Sequence, residues 1–292
     1  MHEALGATSS NQQMPSHAFN TVTVFTAICG EDYTRASLPF VRSLHHSTLR
    51  HLYSVHLVVL HDGAAFPLIQ LIEAARSKGI MRFITLTALQ LKPMEHSLFA
   101  PCASARLQIP RLYPSMEGVA VWVDADTYVA GSLSKLAGLA SQFTASQWAA
   151  LATEDGYWYK IHGNKTGSSP YFGTSGLNSG VIVFELSRWR RSMFPAFVAH
   201  YRGVTAMGDQ DILNAYFHRH MDEVHILPCK WNRRTDSACA QLPYVEDGIY
   251  HGNRHKFWRF NRSQLLAGLQ SGIGGKGSLH KVLGLLEGFA SW

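Results

Sequence analysis

What this chain has little of narrows it first. Only 16% of its 292 residues are charged and 46% are apolar, so it is not one of the charge-rich, hydrophobe-poor sequences that stay disordered. That length and apolar content suffice for one large domain with its own core. No run of about 18 or more apolar residues occurs, which leaves no candidate membrane-spanning helix. The first 20 residues are polar, without a hydrophobic signal core. We therefore expect a flexible N-terminal tail over 1–20 and a single domain over 21–292, either soluble where it is made or separated from an anchor and stem. Internal repeats and linkers are lacking too. The four cysteines, Cys29, Cys102, Cys229 and Cys239, form no paired CxxC zinc pattern. Cys229 and Cys239 close a short segment and fit one disulfide as well as two free buried thiols. The net charge of +6 is scattered apart from Arg188-Trp189-Arg190-Arg191 and Arg254-His255-Lys256. A nucleic-acid protein would carry a denser basic stripe, so nucleic acid is not an expected partner, whereas an anionic small substrate suits this balance.

What is there is an alternation of strands and helices. Thr21–Ala27 reads as a first strand, Cys29-Gly30-Glu31-Asp32 as a turn, and Tyr33 to about Leu49 as a helix. His56–Leu60 follows as a strand, Leu68–Lys78 as a helix and Ile80–Leu86 as a strand; Ser104–Leu112 has apolar residues at helical intervals. Val119-Ala120-Val121-Trp122-Val123 is a short, continuous, β-branched run, the pattern of a strand buried on both faces. In the second half, Val181–Phe184 reads as a strand and Gly208–His218 as a helix opening on acidic residues. This order predicts an α/β protein with an open, mostly parallel sheet flanked by helices.

The buried run ends on Asp124-Ala125-Asp126. Such sheets bind ligands at the C-terminal ends of their strands, and two aspartates one residue apart can both reach a hard cation there. Oxygen ligands suit Mn²⁺ or Mg²⁺, which bridge to substrate phosphates. The spacing is weak by itself, because Asp209 and Asp211 repeat it and a solvated turn or helix cap accounts for a lone pair equally well.

Seven segments in order make the difference. They are the strand leading to Cys29-Gly30-Glu31-Asp32-Tyr33, then Ser104-Ala105-Arg106-Leu107, Trp122-Val123-Asp124-Ala125-Asp126 and Leu177-Asn178-Ser179-Gly180-Val181. Gly208-Asp209-Gln210-Asp211-Ile212-Leu213-Asn214, Leu227-Pro228-Cys229-Lys230-Trp231-Asn232 and Tyr250-His251-Gly252-Asn253-Arg254 complete the series. Together they resemble glycosyltransferase family 8, across roughly Thr21 to Trp258. Pro101–Leu107, Cys229 to Cys239 and His251–Arg254 look most like its glucoside and xyloside xylosyltransferase branch.

The resemblance implies a GT-A fold, a Rossmann-like twisted mixed sheet, and a retaining transfer from a UDP-sugar to a sugar hydroxyl. It implies Mn²⁺, with Mg²⁺ as the alternative, held by Asp124, Asp126 and His251. Tyr33 would stack on uracil, and Arg106 would approach the nucleotide and phosphates. Asp124 would also meet the nucleotide, with Lys256 or Asn253 and Arg254 as phosphate contacts; Lys256-Phe257-Trp258 stands one residue closer to His251 than the family's Lys-Pro-Trp. Asn178, Asp209 and Gln210 would line the donor-sugar pocket as the catalytic group. UDP-xylose is the first expected donor, with UDP-glucose or UDP-galactose, or a non-catalytic sugar-binding relative, as alternatives. A glycan or glycoprotein acceptor and a place in the Golgi or endoplasmic reticulum lumen follow from the same resemblance. Trp189 and Trp231 are expected to be structural.

Overall fold

The computed structural model describes residues 20–91, 102–154, 171–203, 207–234 and 247–252. Four strands, β1 (Thr21–Ile28), β2 (Ser54–His61), β3 (Ile84–Gln90) and β4 (Val119–Val123), pair in parallel in the order β3-β2-β1-β4. The sheet continues through β7 (Leu177–Glu185), β6 (Ala149–Thr153) and β8 (Val224–Ile226). Only β7 runs against its neighbours, antiparallel to both β4 and β6, and β8 is parallel to β6. The expected mostly parallel sheet is therefore present, with one reversed strand inside it. A smaller sheet in the order β5-β10-β9 joins Thr127–Val129, Ile249–His251 and Arg233–Arg234.

Strand β4 shows why the run around Trp122 is apolar throughout. Val121, Val123 and Ala125 enter the core on one face of the sheet with Val24 and Leu57. Ala120 and Trp122 enter the core on the other face with Phe25, Trp148 and Phe184. Both faces are covered, so the two-residue period produces no polar alternation. Trp189 and Trp231 are buried in these two cores, as expected of structural residues.

Several boundaries depart from the sequence pattern. The helix expected from Tyr33 is broken into α1 (Glu31–Ala36) and α2 (Leu38–His51), with Pro39 in the first turn of α2, where the missing amide hydrogen does no harm. Helix α3 covers Phe66–Ser77. Residues 80–83 form turns, so β3 begins at Ile84, although Ile80 and Met81 still pack on the core. Ser104–Leu112 is a 3₁₀ helix (Ala103–Gln108) running into a single α turn, Ile109–Leu112. Strand β7 starts four residues before Val181, because tertiary pairing overrides the poor strand propensity of Asn178-Ser179-Gly180. The order of strands from β1 out to β3, with β4 on the opposite side of β1, makes a switch point at the C-terminal ends of β1 and β4.

A disulfide joins Cys29 to Cys102 across a sequence separation of 73, tying the end of β1 to the segment that carries Arg106. The sequence pattern offered no sign of this pairing. Cys229 is also disulfide-bonded, and the other end of that bond lies outside the described residues.

Candidate active site

The exit of β4 sets the geometry. Asp124 N–H donates to Gly180 O (2.8 Å), a last rung of the ladder with β7. At the end of β4, Trp122 and Asp124 share a side; the chain then turns through Ala125 and Asp126, and Ala125 enters the opposite core. The indole Nε1–H of Trp122 accordingly donates to Asp124 Oδ1 at 2.7 Å. The smaller sheet delivers the third group: β10 pairs antiparallel with β5, setting His251 opposite Thr127, and Gly252 N–H donates to Asp126 O (2.8 Å). His251 Nε2 then lies 3.3 Å from Asp126 Oδ1 and 3.7 Å from Asp124 Oδ2. One ligand atom from each of Asp124, Asp126 and His251 falls within 4.8 Å of the others. Two carboxylate oxygens and an imidazole nitrogen are a fitting donor set for a divalent ion such as Mn²⁺.

Charge is concentrated here. Burial raises the Asp124 carboxyl above its ordinary value, with Arg106 and His251 pulling the other way. Burial acts against a charged His251, but Asp126 and Asp124 outweigh it and hold the imidazole above its ordinary value. Tyr33, half-buried on α1, has its hydroxyl pushed up to about 12 by burial and by the same two carboxylates. It thus borders the metal candidates while packing on the core.

Arg106 is buried and links two groups of predicted residues. It meets Asp124 Oδ1 at 3.1 Å and Asp209 Oδ2 at 2.9 Å, donates to Ser179 O, and lies with its guanidinium carbon 4.6 Å from the Trp122 ring centroid. Asp209 opens the helix Asp209–Arg219 directly after Gly208, whose φ of +69° suits only glycine well. Burial raises its carboxyl to about 6, against the pull of Arg106. Gln210 is next to Asn178: Asn178 Nδ2 donates to Gln210 Oε1 (3.1 Å), and Ser179 N–H donates to the same oxygen (3.0 Å).

The structure therefore brings together Asp124, Asp126, His251, Arg106, Asn178, Asp209 and Gln210, with Tyr33 at their edge. Asn253 and Lys256, together with Arg254, lie outside the described residues. Three further residues belong to the same cluster and were not anticipated as site residues: Glu154, Asn232 and Arg234. Glu154 is buried at the end of β6, where it takes hydrogen bonds from Asn178 (2.6 Å) and Gln210 (3.2 Å) and ion-pairs with Arg234. The signal for it was a carboxylate directly after a buried strand, the same logic that singled out Asp124.

Comparison with known proteins identifies the family and the fold. The model of glycosyl transferase family 8 matches residues 27–243. Rat glucoside xylosyltransferase 1 is 31% identical over 183 residues, and mouse glucoside xylosyltransferase 2 is 30% identical over 181 residues; each match covers 54% of this chain. Each also covers 40% of the relative, so the match spans well under half of those proteins. Mouse xyloside xylosyltransferase 1 superposes with a TM-score of 0.56 and 17% identity, covering 81% of this chain and 99% of that one. The galactosyltransferase LgtC, solved with donor and acceptor sugar analogs, superposes with a TM-score of 0.60 and 17% identity, covering 91% and 96%. At such identities the likeness is one of fold, and that fold is the GT-A arrangement of a mixed sheet flanked by helices. With most of its length matched by the family model, and with xylosyltransferases among its curated relatives, the chain belongs to glycosyl transferase family 8.

Proposed function

We propose that this chain is a divalent-metal-dependent, retaining glycosyltransferase that moves a sugar, xylose first, from a UDP-sugar to a hydroxyl of a glycan or glycoprotein acceptor. The observation that carries this reading is the convergence of Asp124, Asp126 and His251 beside Asn178, Asp209 and Gln210. A bound Mn²⁺ would supply positive charge against the diphosphate leaving group. Asp124 and Asp126 would hold it with His251, and Tyr33 and Arg106 border the same space for the nucleotide and its phosphates. Asn178, Asp209 and Gln210 would hold the sugar hydroxyls and favour positive charge developing at the anomeric carbon.

Gln210 is an amide, a poor nucleophile, and its oxygen already accepts from Ser179 N–H and Asn178. We therefore favour same-face substitution. The acceptor oxygen bonds to the anomeric carbon on the face from which the diphosphate oxygen departs with its electron pair. The hydroxyl proton passes to a phosphate oxygen of the leaving UDP. Residues 21–292 are read as one domain in this proposal. The Cys29–Cys102 disulfide, with Cys229 also oxidised, supports work in the lumen of the secretory pathway.

The test is a donor screen with Mn²⁺ and, separately, UDP-xylose, UDP-glucose, UDP-galactose and UDP-glucuronate, reading UDP release, with Asp126→Ala alongside. Release from UDP-xylose alone, lost on chelation and in the variant, is the expected result. Release only from a hexose donor rejects the xylosyl assignment and keeps the transferase. If no donor gives UDP release and no donor binds by calorimetry, the reading is overturned.

A further inference from the structure

His251 is held from behind by a chain of side chains that ends on a buried ion pair. Its Nδ1 lies 2.9 Å from Asn232 Oδ1. Asn232 Nδ2 donates to Asn178 Oδ1 at 2.6 Å, and Asn178 Nδ2 donates to Glu154 Oε2 at 2.6 Å. The other oxygen of Glu154 pairs with Arg234, whose guanidinium also donates to Glu154 O. All of these side chains are buried.

The direction of the chain follows from groups that have a single role. A carboxylate only accepts, so Asn178 must turn its NH₂ towards Glu154. Its carbonyl then lies where Gly180 N–H, which only donates, meets it at 2.9 Å. That carbonyl takes the NH₂ of Asn232, so the carbonyl of Asn232 faces the imidazole. A carbonyl only accepts; Nδ1 therefore carries a proton, and in the neutral ring the lone pair sits on Nε2, the atom facing Asp126 and Asp124. Gln210 runs in the same sense, giving Nε2–H to Glu154 and taking Ser179 N–H on its oxygen.

We propose that Glu154, clamped by Arg234, is a positioning residue that sets the tautomer of His251 through Asn178 and Asn232 and so presents Nε2 to a divalent ion. This rests on the metal reading of Asp124, Asp126 and His251, and it extends that reading to a carboxylate two hydrogen-bonded side chains away. It also joins the metal group to the donor-sugar group, because Glu154 holds Asn178 and Gln210 with one oxygen. Partners behind metal-binding histidines commonly carry 10–100-fold in metal affinity.

Substitution Glu154→Gln keeps the shape and removes the direction. The amide has one acceptor oxygen, which the charged Arg234 takes, and its NH₂ then opposes the NH₂ of Asn178. The tautomer is read first in the wild-type protein without metal, from long-range ¹H–¹⁵N imidazole spectra at alkaline pH, where the ring is neutral. The His251 signal is assigned by its loss in His251→Gln. We expect Nδ1–H in the wild type, a shift towards Nε2–H in Glu154→Gln, and about a tenfold or greater loss of Mn²⁺ affinity in that variant, titrated by electron paramagnetic resonance with UDP present. A wild-type Nε2–H tautomer overturns the proposal without need of any variant. An unchanged tautomer and unchanged Mn²⁺ affinity in Glu154→Gln overturn it as well. A wild type that holds Nδ1–H and binds no Mn²⁺ overturns the metal reading instead, and the proposal with it.

Discussion

Two aspartate pairs in this chain share one spacing, Asp124/Asp126 at the exit of β4 and Asp209/Asp211 at the start of the helix Asp209–Arg219, and the backbone beneath them puts that spacing to different use. Where the chain leaves β4 it turns through Ala125 and Asp126, and both carboxylates of the first pair face His251. On a helix, residues two apart point away from each other. Asp209 turns to Arg106, while Asp211 turns back to accept Met207 N–H at 2.7 Å. One pair makes a candidate metal site, and the other divides between the buried Arg106 and a local backbone bond. A DxD pattern thus has meaning only together with the element that carries it.

Four experiments break or sharpen this contrast. The largest effect is expected for Asp126→Asn, which leaves the shape and removes one carboxylate charge from the candidate metal site. UDP release at saturating Mn²⁺ should fall about a hundredfold or more, since even groups behind a ligand carry 10–100-fold, with an unchanged urea midpoint. Activity within a few-fold of wild type would remove the first pair from the site.

Asp209 comes next, through pH. Its carboxyl is raised from 3.8 to about 6 in the fold. The folded state therefore keeps a proton that the unfolded chain has lost between those values. Stability from this residue is complete below 3.8 and is lost as pH rises through about 6. In Asp209→Asn that slope disappears. Urea midpoints from about pH 4 to about pH 7 should show the variant gaining on the wild type by on the order of 2–3 kcal/mol. Parallel curves would mean that Asp209 is not held in the strongly buried state described here.

Gly180→Ala tests the crowding behind the metal candidates. A Cβ at this position overlaps the imidazole of His251 and comes within 3.0 Å of Asn178 Oδ1. Mn²⁺ affinity in the presence of UDP should drop about tenfold, with some loss of stability from overpacking. Unchanged affinity would show that His251 moves freely around its support.

The smallest effect belongs to Asp211→Ala, which deprives Met207 N–H of its acceptor. A stability loss of about 1–2 kcal/mol is expected in urea denaturation, while UDP release stays within a few-fold. A collapse of activity comparable to that of Asp126→Asn would erase the contrast between the pairs.

Much of the site was legible because its residues sit at the ends of local elements. Asp124 and Asp126 follow a short, β-branched apolar run that reads as a buried strand. Asp209 and Gln210 open a helix that its acidic start announced, and Asn178 stands just before the β-branched run of β7, but the resemblance, not these elements, singled the three out as site residues. Arg106 was legible by motif, but its place between Asp124 and Asp209 was not, since no periodicity fixes which carboxylates a 3₁₀ helix will meet. Glu154 escaped notice because the short run of β6 before it was not read as a strand, and Arg234 because a guanidinium acquires meaning only when it faces its carboxylate. The strands of the small sheet escaped for a related reason: at two or three residues each, β5, β9 and β10 are too short to show a period.

By itself the sequence determined the α/β class, the first four strands of the sheet and the first carboxylate pair, because these depend on patterns within a few residues. His251 was named from the sequence only through resemblance, and the tertiary structure supplies the contact that sets its Nε2 3.3 Å from Asp126 Oδ1. Only the tertiary structure decided that Cys29 bonds Cys102 at a separation of 73, and that Arg234 closes on Glu154 at a separation of 80. Those contacts depend on how distant segments pack, and packing is settled by the burial and pairing of the whole chain at once.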